Sequence, residues 1–321
     1  MLQPKTTAAT VRPRSNTVLG LRKMIRQTLY ILGTRHWSFT AGVSIFLAVI
    51  CVLILAPWIA PYDPDAQELL HRLSGPSSLY WLGTDQLGRD VLSRLLIGGR
   101  FSVSVAAMVM VISATFGTIV GVICARRAGG MLDEVIMRTV DLLIAFPDVL
   151  VALVVIALIG PGSMTLILSL TVVAWTPFAR MARSLTLEIN SKDYITAAEV
   201  LGCSRFFIVF RHVIPNVYRP LAALTFLRFS HKLITVGALS FLGLGVQPPK
   251  SDWGAMLADA LRFVDRAPLL AFAPGFAIFI TALAVTLIGQ GLEIEDKSKK
   301  AKEKSYKDVE PSAKVTKGPN S

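Results

Sequence analysis

Long uninterrupted runs of apolar residues alternate with short polar stretches along this chain. Phe39–Ala60, Phe101–Ala125 and Ala267–Leu292 contain no charged residue, and each reaches the roughly 20 residues a helix needs to cross about 30 Å of hydrocarbon. Three further runs are imperfect. Thr139–Gly160 contains Asp141 and Asp148, Met164–Ala179 is short, and Val217–Val246 contains Arg228, His231 and Lys232. A backbone in lipid must satisfy its own hydrogen bonds, and these runs are continuous rather than alternating, which selects helices over a β-barrel. The pattern predicts an all-α, polytopic membrane protein with six transmembrane helices. It divides the chain into a basic segment at 1–38, a first span and outer loop at 39–100, a five-helix core at 101–292, and a tail at 293–321 expected to be disordered.

Composition agrees: 53% of the 321 residues are hydrophobic and 17% charged, more apolar surface than a soluble domain hides. Charge then orients the spans. Met1–Ser38 and the second loop, fourth loop and tail together carry 24 Lys and Arg, against seven on the opposite side. By the positive-inside rule both termini are cytoplasmic. The net charge of +12 follows from this topology and from attraction to anionic membrane lipid, so it gives no reason to expect nucleic acid as a partner. Cys51, Cys124 and Cys203 have no metal-ligand spacing and read as packing residues.

Catalytic signatures are missing. The chain has no G-x-x-x-x-G-K-[ST] phosphate loop, no G-x-S-x-G elbow and no H-E-x-x-H pair. It is expected to be no enzyme, to hold no cofactor or metal, and to draw energy from a partner or an ion gradient.

The stretch between the fourth and fifth spans, residues 194–216, reads as two short helices. Gly202 ends the first, since glycine takes the left-handed C-terminal conformation readily; Pro215 ends the second. Ala197 and Ala198 give the first helix a thin face, and Phe206, Phe207, Phe210 and Arg211 follow. Periodicity alone leaves two readings open: a connector lying on the headgroups, or an element that docks on another protein.

This segment resembles the "EAA" loop of ABC importer permeases. Ala197, Ala198, Gly202, Ile214 and Pro215 match that pattern, Thr196 stands at its glutamate and His212 at its isoleucine. Trp81-Leu-Gly-Thr-Asp-Gln-Leu-Gly-Arg-Asp90, with Ser93, Arg94, Gly98, Arg100 and Ser102, is similar to the outer-side signature of the dipeptide, oligopeptide and nickel branch. So are Pro57–Pro64, Asp141–Pro147 and Ser240–Pro249 with Trp253-Gly254.

The resemblance implies a type I ABC importer permease in the bacterial inner membrane. Its partners would be a second homologous permease, forming a heterodimer, two ATP-binding subunits that bind ATP and Mg, and an extracytoplasmic solute-binding protein. It implies coupling to the ATPase through Thr196, Ala197, Ala198, Gly202, His212, Ile214 and Pro215. The cargo expected is a dipeptide or oligopeptide, with nickel or a metal chelate as the alternative. An ion-driven secondary transporter, which would want inverted repeats, and an intramembrane enzyme are the rivals from other classes.

Two groups of polar residues are left. Gly83, Thr84, Asp85, Gly88, Arg89 and Asp90 lie in the outer loop, either bracing it or docking a solute-binding protein. Charges at membrane depth face a bundle interior or water. Asp141 and Asp148 are therefore candidates for the pathway, with Pro147 expected to kink the helix between them. Arg228, His231 and Lys232 recur at i, i+3 and i+4 and share one face, either as a structural ion-pair cluster or as cargo contacts.

Overall fold

The computed structural model describes residues 37–314, and side chains as far as residue 295. The basic segment 1–38, apart from Trp37 and Ser38, lies outside the described residues, as does the tail beyond Lys314. Among the described residues there is no strand, only a single antiparallel bridge between Thr84 and Asp90.

The first helix, α1 (Trp37–Ile59), follows the charge-free run closely. An extended outer segment leads to α2 (Val91–Arg126). This 36-residue helix starts ten positions before the apolar run at Phe101, because Asp90 caps it: its carboxylate accepts from the Ser93 amide at 2.8 Å and from the Ser93 hydroxyl at 2.7 Å. The end of the expected outer loop, through Arg100, is therefore helical.

The third expected span is broken rather than kinked. α3 (Met131–Ala145) and α4 (Asp148–Ile159) meet at 93°. Proline disfavours the α region for the residue before it, and Phe146 is extended at φ −94°, ψ 141°. The short fourth span lengthens: α5 (Ser163–Ala174) and α6 (Thr176–Asn190) together make a 28-residue apolar unit.

α7 (Asp193–Val200) and α8 (Arg205–Ile208) form the loop between the expected fourth and fifth spans. Pro215 does not end a helix. α8 runs through a π-helical turn at Val209–Val213 into α9 (Ile214–Phe241), and Pro215 sits in the first turn of α9. The wider turn, with the Ile214 amide bonded to the Val209 carbonyl, absorbs the donor that proline lacks. The Asn216 side-chain amide donates to the His212 carbonyl at 2.6 Å.

A short outer helix, α10 (Trp253–Ala260), precedes α11 (Leu269–Lys314). α11 runs past Leu292, so the stretch from Glu293 to Lys314, expected to be disordered, has a helical backbone. Its Lys, Glu and Ala content favours helix when an apolar helix has already nucleated it.

Among the described residues, four helices are long and apolar enough to cross a membrane, and the broken pair α3–α4 can make a fifth. The 28-residue α9 is long enough, but it carries Arg219, Arg228 and Lys232 and does not qualify on composition. The expectation of six spans is thus met in part. α2 packs along α6, α9 along α11, and α11 along α1. α2 and α6 touch backbone to backbone: a Cβ on Gly117 would lie 2.4 Å from the Trp175 carbonyl oxygen, and one on Gly121 2.3 Å from that of Ala179. Small residues four apart permit such an approach in lipid.

Candidate functional site

The outer segment is built on the Gly-Thr-Asp and Gly-Arg-Asp residues. Gly83 (φ 80°) and Gly88 (φ 73°) turn the chain in the left-handed region, and a Cβ on Gly88 would come within 1.9 Å of the Glu68 carbonyl oxygen. The Thr84 hydroxyl donates to the His71 carbonyl and accepts from the Ser74 amide at 2.9 Å. The Asp85 carboxylate accepts from the amides of Leu87 (2.8 Å) and Arg89 (3.0 Å) and from Arg89 Nε at 2.6 Å.

Arg94 Nε lies 3.4 Å from the same carboxylate, and Asp259 Oδ2 approaches Arg89 at 3.5 Å and Arg94 at 3.7 Å. Asp85, Arg89, Asp90 and Arg94 are all buried. Two buried guanidiniums held by two carboxylates make an internal brace, a stronger arrangement than surface ion pairs. Nearby, the Tyr80 hydroxyl donates to Glu68 Oε2 at 2.7 Å. That bond pushes the phenol up to about 12 and draws the Glu68 carboxyl below its usual range.

The two outer signatures also meet each other. The Trp253 indole donates to the Leu95 carbonyl at 2.9 Å, its backbone amide donates to the Ser102 hydroxyl at 3.2 Å, and its ring fills the space beside Gly99. Asp252 caps α10 through the Ala255 amide at 2.8 Å and accepts from the Ser240 hydroxyl at 2.6 Å. Burial pushes this carboxyl above its usual range, against the opposing pull of Ser240 and the α10 amides. Asp259, Asp252 and Ser240 belong to this outer cluster although sequence reasoning gave them no role; their signal was their place within or beside the Ser240–Gly254 signature.

At the opposite end of the bundle, Gly202 (φ 77°) closes α7 with a paired turn: its amide bonds to the Glu199 carbonyl and the Cys203 amide to that of Ala198, both at 3.0 Å. Ile195, Ile208 and Val213 are buried under the loop. Val200 and Leu201 are each 83% exposed, with Phe206, Phe207 and Phe210 exposed beside them. Thr196, Ala197, Ile214 and Pro215 are exposed, and Ala198 is half-buried. His212 is also half-buried, with its ring 5.8 Å from those of both Tyr194 and Phe207. The loop is tied to the bundle by Arg126, at the end of α2, whose Nη1 lies 3.6 Å from Glu199 Oε1.

The charges expected at membrane depth divide into two groups. Asp148, in the first turn of α4, meets Lys232 Nζ at 2.6 Å, and His231 Nδ1 lies 3.9 Å from the same carboxylate. Asp141 does not join them: beyond the 93° break it pairs with Arg180. Asp148, Arg180, Arg228, His231 and Lys232 line one cavity of about 620 Å³, whose remaining wall includes Met110, Phe146 and Leu224. Asp133 and Arg183, a pair with no sequence signal because they sit 50 residues apart, clamp α3 to α6 through contacts of 2.6 and 2.7 Å. Among the described residues, no group of three or more His, Cys, Asp or Glu could hold a metal ion.

Residues 117–293 match the family described as binding-protein-dependent transport system inner membrane component, and residues 34–76 match the N-terminal TM domain of oligopeptide transport permease C. A glutathione transport system permease protein, GsiD, of Pectobacterium atrosepticum is 38% identical over 259 residues, covering 80% of this chain and 85% of the relative. A di/tripeptide transport system permease protein, DppC, of Pseudomonas aeruginosa is 36% identical over 260 residues, covering 78% and 84%. One chain of the MetNI methionine ABC transporter, in an inward-facing conformation, gives a weak structural likeness: TM-score 0.48 at 17% identity, over 62% of this chain and 96% of that one. The chain belongs to the binding-protein-dependent transport system inner membrane component family, as a permease of ABC importers rather than an enzyme.

Proposed function

We propose that this chain forms one half of a peptide pathway through the bacterial inner membrane, with α9 as its sixth span and both termini in the cytoplasm. The cavity of about 620 Å³ at the face of α9 would be completed by a second permease. Two ATP-binding subunits would receive the α7–α8 loop, and an extracytoplasmic binding protein would deliver the cargo. Family membership supports ATP-binding, substrate-binding and second-permease partners as classes. The names of the glutathione and di/tripeptide relatives support a small peptide over nickel or a metal chelate.

The observation that carries the coupling role is the exposed apolar surface of the loop, Val200, Leu201, Phe206 and Phe210, set on a fixed turn. A monomer in water would hide such a patch. Closure of the ATPase pair would pull on it and shift the cavity between inward-open and outward-open states.

Gly202→Val tests this. Nothing lies within 4 Å of a Cβ there, so the space is free, but φ is 77°, which costs a branched residue about 1–2 kcal/mol. The variant is expected to insert and assemble yet lose most ATP-dependent dipeptide uptake in proteoliposomes containing all partners. Unchanged uptake would remove the coupling role from this loop.

A further inference from the structure

The charges lining the cavity do not balance. Arg180 is paired with Asp141, and Lys232 with Asp148. Those contacts use both carboxylates, and His231 shares Asp148 from 3.9 Å. Arg228, one turn away from Lys232 on α9, is exposed to the cavity, and no carboxylate among the described residues lies within ion-pairing distance of it.

An uncompensated guanidinium in a spanning helix is costly. Its planar fork of donors matches a carboxylate in a two-point contact, which an ammonium cannot reproduce. The apolar part of the same wall, with Met110, Phe146 and Leu224, suits the uncharged remainder of a small molecule.

We propose that Arg228 is the cargo's anion anchor: a free carboxylate of the transported molecule docks on its guanidinium, with His231 at the edge of the same subsite. The inference rests on the transport reading above and narrows it to cargo bearing an unpaired carboxylate, such as the C-terminus of a short peptide. Lys232 and Asp148 would hold the face of α9 in place without contacting cargo.

The test uses the complete complex of this permease with its partner permease and ATP-binding subunits. Binding of dialanine and of dialanine amide is measured without the solute-binding protein, so that its selectivity does not enter. The wild-type complex is expected to bind the acid at least tenfold more tightly than the amide. Arg228→Gln should abolish that preference by weakening acid binding alone, and Arg228→Lys should restore part of it. Gel filtration of each variant complex establishes assembly.

Equal binding of acid and amide by the wild type, or an acid preference that survives Arg228→Gln, would overturn the proposal. The first result would mean that a carboxylate of the partner permease neutralises Arg228, and the second that another cation holds the cargo carboxylate. Arg228-dependent binding of the acid, together with no ATP-driven uptake of any di- or tripeptide by the complete system, would overturn the peptide-import reading and leave the anion site standing.

Discussion

Lys232 Nζ lies 2.6 Å from Asp148 Oδ2, joining the middle of α9 to the first turn of α4, the second half of the broken span. The lysine side chain is 5% exposed and the aspartate 27%. Removing one partner strands the other at membrane depth, whereas removing both removes the problem. Lys232→Met and Asp148→Leu are each expected to cost about 3 kcal/mol, and the double variant markedly less than the sum. Thermal unfolding of the purified complex in detergent measures this; additive losses would show that the pair is not coupled.

The outer brace makes a prediction about single methyl groups. Gly88→Ala combines a left-handed φ with a Cβ placed 1.9 Å from the Glu68 carbonyl oxygen, and is expected to destabilise the outer segment by at least about 2 kcal/mol. Gly75→Ala, where nothing lies within 4 Å, should stay within about 0.5 kcal/mol of wild type. Protease cleavage between residues 60 and 90 on the outer face reports both.

The Tyr80–Glu68 hydrogen bond sets a pH window. The folded phenol titrates near 12 instead of 10.0, so its contribution is complete below pH 10 and is lost as pH rises through about 12. The Glu68 carboxyl is drawn below 4.5, so its contribution is present above that value and lost as pH falls through the folded one. The phenolate ultraviolet difference signal removed by Tyr80→Phe should appear near pH 12, and Glu68→Gln should return it toward pH 10. A signal already near 10 in the wild type would exclude the bond.

Much of this architecture was legible in the chain, and the rest was not for identifiable reasons. Phe39–Ala60 announces α1 because a charge-free run has one stable form in lipid. Gly202 announces the end of α7 because few residues accept its φ. Pro147 and Pro215 are equally visible, yet one breaks a span at 93° and the other sits in the first turn of a continuing helix. What a proline does depends on whether a neighbouring turn can widen, and sequence does not carry that. Nor does it carry Asp133 with Arg183, or Arg94 with Asp259, since those partners are chosen by packing between distant segments. The family signatures include Asp85 and Trp253, but only the structure brings the two signatures into contact.

The continuity of α2 has a mechanical consequence. At 36 residues a straight helix is about 54 Å long, well beyond the roughly 30 Å of hydrocarbon it crosses. Its first turn is fastened into the ionic brace by Arg94, and its last turn touches the α7–α8 loop through Arg126 and Glu199. One stiff rod therefore spans from the face where ATP would act to the face where cargo would arrive. A load placed on Glu199 would pass through Arg126 straight to this rod, which would tilt about its braced outer end rather than yield through a chain of soft connections.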